Sequence, residues 1–339
     1  MRFTAFLCIV FFNIFLLVNV VSAENARHDP SVMAWIPAYG VRASMEQLEA
    51  HQDIGSGLTR LGLQFWNPRD DGRGLVLAPT GKDGVLVSVD EVVRIRDWAR
   101  QRHIKVLLTV YNNSQVADHW DWALAKRGFA DNQDAFASAL VAEMYRYDLD
   151  GIDLDLEGEG EHESDRVAYA QFVKNLAGKL SNQGKLLTID SFHSPCDNAP
   201  NMGWWGDWLG HVNTIHSMGY QDLYEGSTTA FTPSGRGVCE NGAAIFKYSW
   251  QLQYGLKLGY RPDQILMGMP TWLDAWGVGE LASGPSDHVR EIQKLGAGIA
   301  LWDLQLLGQQ WRTSATWDAI QALRLKPGSG WKALHSRIR

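Results

Sequence analysis

The sequence has no basic excess: 31 Lys and Arg stand against 38 Asp and Glu, for a formal charge of −7 at pH 7. A chain of that balance offers no cationic face to nucleic acid or to an anionic membrane surface, and neither is expected as a partner. Cysteine is scarce, with three residues in 339, so a disulfide framework cannot carry the fold. No low-complexity tract, linker or repeat of fixed period divides the chain. The Gly-rich phosphate loop of an open dinucleotide-binding sheet is missing too, since W-I-P-A-Y-G from Trp35 has none of its spacing. With 45% apolar and 20% charged residues, what remains is an ordinary globular protein with a core large enough for one sizeable domain.

The first 23 residues differ from the rest. Arg2 is their only charge, an apolar run from Ala5 to Val21 is broken by Asn13 and Asn19, and V-S-A ends at Ala23. This pattern predicts a secretory signal peptide cleaved after Ala23, hence a periplasmic or secreted protein with no membrane attachment once the signal is gone. The length of the apolar run leaves an uncleaved anchor as the alternative. Cys8 falls inside the signal, leaving Cys196 and Cys239 in loops rich in Gly, Pro, Ser and Asn. They could bridge two surface loops or remain two thiols, because sequence does not supply the distance a bridge requires. Lys326 to Arg339 reads as a basic, loosely ordered tail.

Between these ends, eight short aliphatic runs alternate with segments of helical period. The runs are Val32–Ile36, Leu58–Phe65, Ile104–Val110, Gly151–Glu157, Lys185–Asp190, Val212–Ser217, Gln264–Gly268 and Gly298–Trp302. Helices are predicted most strongly over Asp134–Tyr147 and Ser164–Leu180, and more weakly over Ser88–Arg102, Gly242–Leu258, Ser286–Leu295 and Leu304–Leu325. Near-continuous apolar strands separated by amphipathic helices imply a parallel sheet covered on its outer face. Eight such units close into a single (β/α)8 barrel over residues 24–325, expected as a monomer. An open doubly wound sheet is the alternative.

One run is unlike the others. Leu149 to Gly158 reads L-D-G-I-D-L-D-L-E-G, and strand geometry sends Asp153, Asp155 and Glu157 to one face and Ile152, Leu154 and Leu156 to the other. Like charges that close disfavour each other's ionisation, so at least one of the three acids should keep its proton well above the usual carboxyl range, as a general acid near neutral pH requires. Solvated acidic surface is the bland alternative. A metal site using Glu159, His162 and Glu163 is another, although the calcium-loop spacing and H-E-x-x-H are both absent; no cofactor is expected. Active sites of barrels form at the carboxyl ends of the strands, and there the sequence places Tyr39, Trp66, Asn112, Met218, Tyr220, Gln221, Trp272 and Trp302. Indole faces stack on sugar rings while amides and carboxylates bond hydroxyls. Fifteen Trp are present; Trp204, Trp205 and Trp208 fit a sugar-facing loop and a loop's own small core equally well.

D-G-I-D-L-D-L-E, from Asp150 to Glu157, resembles the D-x-x-D-x-D-x-E signature of family 18 glycoside hydrolases, the chitinases and endo-β-N-acetylglucosaminidases. K-V-L-L-T ending at Thr109 resembles that family's third strand, M-G-Y at Met218 its sixth-strand motif, and G-I-A-L-W-D its eighth strand ending in Trp302. The resemblance implies a retaining, substrate-assisted hydrolysis of glycans containing β-linked N-acetylglucosamine. Glu157 would protonate the leaving oxygen, Asp155 would orient the substrate's acetamido group, and Asp153 would share the proton of Asp155. Tyr220 would bond the acetamido oxygen and Trp302 would floor the central subsite, with Asp150 and Thr109 in support. Two departures bear on substrate. The family's S-x-G-G is replaced by Thr109, Val110, Tyr111 and Asn112, which narrows the cleft, and Gln221 stands where an Asp is usual. The 270–298 interval is too short for the extra module some chitinases carry. A non-catalytic sugar-binding protein on the same barrel is the alternative function.

Overall fold

The computed structural model of the protein describes residues 30–77, 87–113, 120–158, 163–193, 198–220, 248–273, 275–276 and 284–325. The signal-peptide segment, Cys196, Cys239, Gln221 and the basic tail lie outside the described residues. Eight parallel strands form a closed barrel: β1 (Val32–Pro37), β2 (Arg60–Pro68), β4 (Lys105–Tyr111), β5 (Gly151–Asp155), β6 (Leu186–Ser191), β7 (Thr214–Ser217), β8 (Ile265–Pro270) and β9 (Gly298–Trp302). Pairing of β1 with both β2 and β9 closes the cylinder. The short β3 (Leu75–Leu77) folds back antiparallel on the end of β2. All eight predicted runs are strands of the barrel, and no helix among the described residues is long and apolar enough to cross a membrane.

The outer layer contains α1 (Val41–Ala50), α2 (Gln52–Gly57), α3 (Val89–Arg100), α4 (Trp122–Lys126), α5 (Gln133–Arg146), α6 (Glu163–Ser181), α7 (Trp205–Trp208), α8 (Tyr248–Leu258), α9 (Pro285–Leu295) and α10 (Ser314–Leu325). Local chemistry sets several boundaries. Ser88 caps α3, its hydroxyl accepting from the Glu91 amide at 3.2 Å while the Glu91 carboxylate accepts from the Ser88 amide at 2.7 Å. Pro285 opens α9, and Gly296, at φ 75°, closes it in the left-handed region that glycine adopts without strain.

The predicted helix from Leu304 begins only at Ser314. Leu306 has φ 49° and Gly308 precedes a short 3-10 turn over Gln309–Arg312, so the apolar spacing of that stretch belongs to a folded loop. Helix α1 goes beyond the sequence reading although Val41, Met45 and Leu48 recur at helical spacing, whereas α2 has only Ile54 as a large apolar residue.

Two hydrophobic cores follow from strand alternation. Between strands and helices, Ile152 and Leu154 of β5 are buried in the same cluster as Phe136 and Leu140 of α5 and Phe172 and Leu176 of α6. Inside the barrel a much smaller cluster gathers Met33, Trp35, Leu107, Leu266 and Ala300, with Trp302 against it. Buried Gln64, Thr109, Asp153, Asp155, Thr188, Asp190 and His216 add polar groups to this interior and make it a lined cup. Gly62 is needed here, because a Cβ on it would lie 2.4 Å from the Trp35 ring. The absence of a side chain lets the Trp35 indole lie across the interior.

Candidate active site

Asp153 is the centre of the cup. It is fully buried, and its carboxylate accepts from Trp35 Nε1 at 2.8 Å, from Thr109 Oγ1 at 2.9 Å and from the Thr188 hydroxyl, with His216 Nδ1 at 3.4 Å. Strand register brings these groups together, since Thr109, Asp153 and Thr188 are laterally paired on β4, β5 and β6. Burial by itself would raise this carboxyl. The hydrogen bonds from His216, Thr188 and Trp35 more than offset it and hold Asp153 below its ordinary value.

One residue pair up the strand, Asp155 accepts from Gln64 Nε2 at 2.6 Å and is hydrogen-bonded to Glu157. Burial pushes its carboxyl up to about 7, aided by the charge of Asp153 and opposed by the bonds from Gln64 and Glu157. The strand pattern leads to the expectation of one raised carboxyl, and Asp155 is that group, but burial is the main cause and the neighbouring charge a smaller one. Glu157 lies just beyond β5 and is half-buried at the mouth. Its backbone is clamped at both polar groups by one side chain: the Asn112 amide oxygen accepts from the Glu157 N–H at 2.7 Å, and Asn112 Nδ2 donates to the Glu157 carbonyl at 2.7 Å.

Asn112 is therefore a correction to the sequence reading. Its amide is buried and bonded to Glu157, so it positions that residue and does not present itself to a ligand. Trp66 is a second correction. The β2–β4 register shifts between Gln64 and Trp66, a bulge that turns Phe65 and Trp66 outward together. Trp66 is 0% exposed, packs against Tyr147 and donates through Nε1 to Glu143 of α5 at 3.2 Å. Replacing Trp66 with Ala is expected to cost about 3–5 kcal/mol of unfolding free energy in a urea titration while leaving sugar affinity unchanged. A variant of full stability with weakened sugar binding would put Trp66 back at the mouth.

Tyr220 lies edge-on to Trp272 at 6.0 Å. Its phenol is pushed well above the usual range, first by burial and then by the carboxylates Asp190, Asp155, Glu157 and Asp153. A Cβ on Gly268 of β8 would come within 2.8 Å of the Tyr220 ring, so that glycine makes room for it. Half-buried Met218 follows β7, its N–H donating to the Ser191 carbonyl. Trp302 tilts against Trp35 at 5.9 Å and forms the floor of the cup. Tyr39, 58% exposed, reaches over the mouth with its hydroxyl 3.3 Å from the buried carboxylate of Asp303. Tyr111 faces Trp120 at 6.2 Å where the family pattern has glycine, and fills that side of the cleft.

Asp150 has a structural part. Its carboxylate accepts from the Val106 N–H at 2.8 Å and fixes the register at the base of β5. Trp204, Trp205 and Trp208 are buried among Tyr169 and other aromatics and form the loop's own core. Four interior residues went unread in the sequence: Gln64, Thr188, Asp190 and His216. Asp190 and His216 are register partners on β6 and β7, with His216 Nδ1 2.7 Å from Asp190 Oδ1.

Asp153, Asp190 and His216 approach within 4.8 Å, close enough for a cation. Their surroundings do not suit one: both Asp153 oxygens already accept from N–H and O–H groups, and those donors would face the ion.

A closed barrel whose carboxyl-end cup joins a proton-sharing acid pair to tryptophan and tyrosine faces is equipped for acid–base chemistry on a saccharide. Residues 37–322 match the family model for glycosyl hydrolases family 18, and the chain belongs to that family. It is similar to the class V chitinase of Pseudomonas fluorescens Pf-5, at 18% identity over 88% of this chain and 100% of that one, with a TM-score of 0.63. A chitinase from Chromobacterium violaceum ATCC 12472 superposes at TM-score 0.61 and 15% identity over 88% and 99% of the two chains. The spore cortex-lytic enzyme SleL of Bacillus cereus superposes at 0.60 and 15% over 86% and 73%. No curated protein sequence matches the chain.

Proposed function

We propose that the protein is an exported hydrolase of glycans containing β-linked N-acetylglucosamine, working by retaining, substrate-assisted catalysis. The observation that carries this reading is the Asp155–Glu157 hydrogen-bonded pair, with Glu157 at the mouth and a fixed carboxylate, Asp153, below. Glu157 gives its proton to the glycosidic oxygen as the bond to the anomeric carbon breaks. The acetamido carbonyl oxygen of the same sugar forms a bond to that carbon, and the positive charge spreads over an oxazolinium ring. Asp155 hydrogen-bonds the acetamido N–H and stabilises that charge. Water then attacks the anomeric carbon, passes its proton to Glu157, and restores both the acetamido group and the starting acid. Trp302 supports the sugar from below, and Tyr220 donates to the acetamido oxygen.

Tyr111 and Trp120 narrow one side of the cleft, which favours a substrate presented as an end or a single branch over a long flat polymer. Export is supported by the apolar N-terminal segment with its small-residue ending. The test is to incubate the protein, freed of residues 1–23, with chitin oligomers, a high-mannose glycopeptide and purified peptidoglycan, and to weigh the products. Cleavage next to an N-acetylglucosamine unit is expected in at least one. Tight binding to these glycans with no product from any would identify a sugar-binding protein instead.

A further inference from the structure

Beside the acids already described, on the neighbouring strands β6 and β7, the barrel holds a second group of ionisable side chains that the hydrolysis scheme does not use. His216 and Asp190 are both buried, 0% and 2% exposed. The His216 ring stands edge-on to the Trp35 indole at 5.1 Å, the same indole that donates to Asp153. On its far side, His216 Nε2 lies 3.4 Å from Thr214 Oγ1, which accepts from Arg60 Nη1 at 2.8 Å. Because Thr214 Oγ1 accepts the hydrogen bond from Arg60, its own hydroxyl hydrogen is free to be donated to Nε2, leaving Nδ1 as the donor facing Asp190 and Asp153. A chain of contacts therefore runs Arg60, Thr214, His216, then Asp190 and Asp153, and upward to Asp155 and Glu157.

We propose that Asp190 and His216 are positioning residues of the catalytic row: as a buried pair beside Asp153 they keep Asp153 ionised and bonded, so that the working proton stays between Asp155 and Glu157 at the substrate end. This rests on the hydrolase reading above.

Three features support it. His216 is held neutral, chiefly by burial and further by Arg60, against the pull of Asp153. Asp190 keeps its proton well above the usual carboxyl range, first through burial, then through the charges of Asp153, Asp155 and Glu157, and bonds toward Asp153. The groups facing the pair from the neighbouring strands are Arg60 on β2, Asp153 and Asp155 on β5, with Tyr169 of α6 and Tyr220 beyond β7 also close to Asp190. A neutral histidine and a neutral acid at this place both offer hydrogens to Asp153. No proton has to descend from Asp155.

The sign of the test follows. Removing a donor from an ionised carboxylate raises its pKa, so Asp153 should lose its charge at a higher pH. His216→Leu and Asp190→Leu are each expected to move the acidic limb of kcat/KM upward by about one pH unit and to lower kcat at the optimum about ten-fold, with KM little changed. His216→Asn and Asp190→Asn keep an N–H directed at Asp153 and should recover most of the loss of the corresponding Leu variant. Limbs in the Leu variants that coincide with wild type, or Asn variants as impaired as the Leu variants, would overturn the proposal.

A second measurement needs neither activity nor a variant. In nitrogen-15 spectra of the histidine-labelled wild-type protein, His216 should be neutral with its proton on Nδ1 at about pH 7 and take a second proton only below the ordinary histidine midpoint; titration at or above that midpoint would refute the proposal. If the wild type hydrolyses none of the glycans above, the hydrolase reading fails while these spectra still decide the protonation of the pair.

Discussion

Glu157→Gln should abolish nearly all turnover, lowering kcat by about a thousand-fold, within the range associated with a positioned general acid or base. The substitution keeps the size and outline of the side chain. Asn112 holds the backbone of residue 157 through its N–H and carbonyl, so the position survives whatever the side chain becomes. The lost property is proton exchange: an amide neither protonates a departing alkoxide nor takes a proton from water, and both halves of the reaction fail. Binding of glycan should persist within about two-fold, because the interaction removed is made in the transition state. A substrate with an acidic aryl leaving group needs no protonation to depart, so its loss should be smaller than that for a natural glycan. Steady-state kinetics on both substrates with calorimetry of binding give the answer. Equal losses on both, or a variant that turns over normally but no longer binds, would remove Glu157 from the role of acid.

Much of this arrangement is legible in the chain because barrel strands impose period two and the cluster facing the helices imposes aliphatics. The I-D-L-D-L-E alternation from Ile152 to Glu157 identifies the site strand directly, and Thr109 follows as its neighbour in register. The misreadings have a common cause. Trp66 reads as a mouth residue because it follows the aliphatic run ending at Phe65, but the strand continues to Pro68 and the register shift after Gln64 places two successive aromatics outside. The residue that truly faces the cup, Gln64, is a lone polar side chain in L-G-L-Q-F. In the same way T-I-D at Thr188–Asp190 and T-I-H at Thr214–His216 alternate polar with apolar inside runs that read as continuously aliphatic. Polar residues at every second position of a buried strand are costly unless partnered, and that is the signal which locates all four. The partners themselves come from different strands far apart in sequence. Asn112 could not be separated from a sugar ligand without seeing that Glu157 occupies both ends of its amide.

Asp155→Asn is expected to reduce kcat by two to three orders of magnitude, the scale of removing a preorganised charge from a developing cation. It should also change the pH profile and the stability in linked ways. In the native protein burial raises Asp155 to about 7, with the Gln64 and Glu157 bonds opposing. The pair with Glu157 titrates together, so activity should decline as pH rises through about 7 and the shared proton leaves. With a neutral Asn in place of Asp155, the group raised to about 7 is gone, and the decline of activity through that pH should no longer be seen in the residual rate.

The stability sign is set by the same raised group. The folded state holds the Asp155 proton more tightly than the unfolded chain, so stability is greatest below the unfolded carboxyl range and is lost progressively as pH climbs to about 7. Asn carries no such loss, and Gln64 Nε2 can still donate to its carbonyl oxygen. Asp155→Asn should therefore melt higher than wild type at pH 8, and the two should converge near pH 4, while the enzyme becomes nearly inactive at both. A substrate lacking the 2-acetamido group should not be cleaved by either protein. Hydrolysis of a cellulose oligomer at a comparable rate, or a variant less stable at pH 8 than at pH 4 relative to wild type, would show that Asp155 is neither a strained buried acid nor the residue that guides the substrate's own nucleophile.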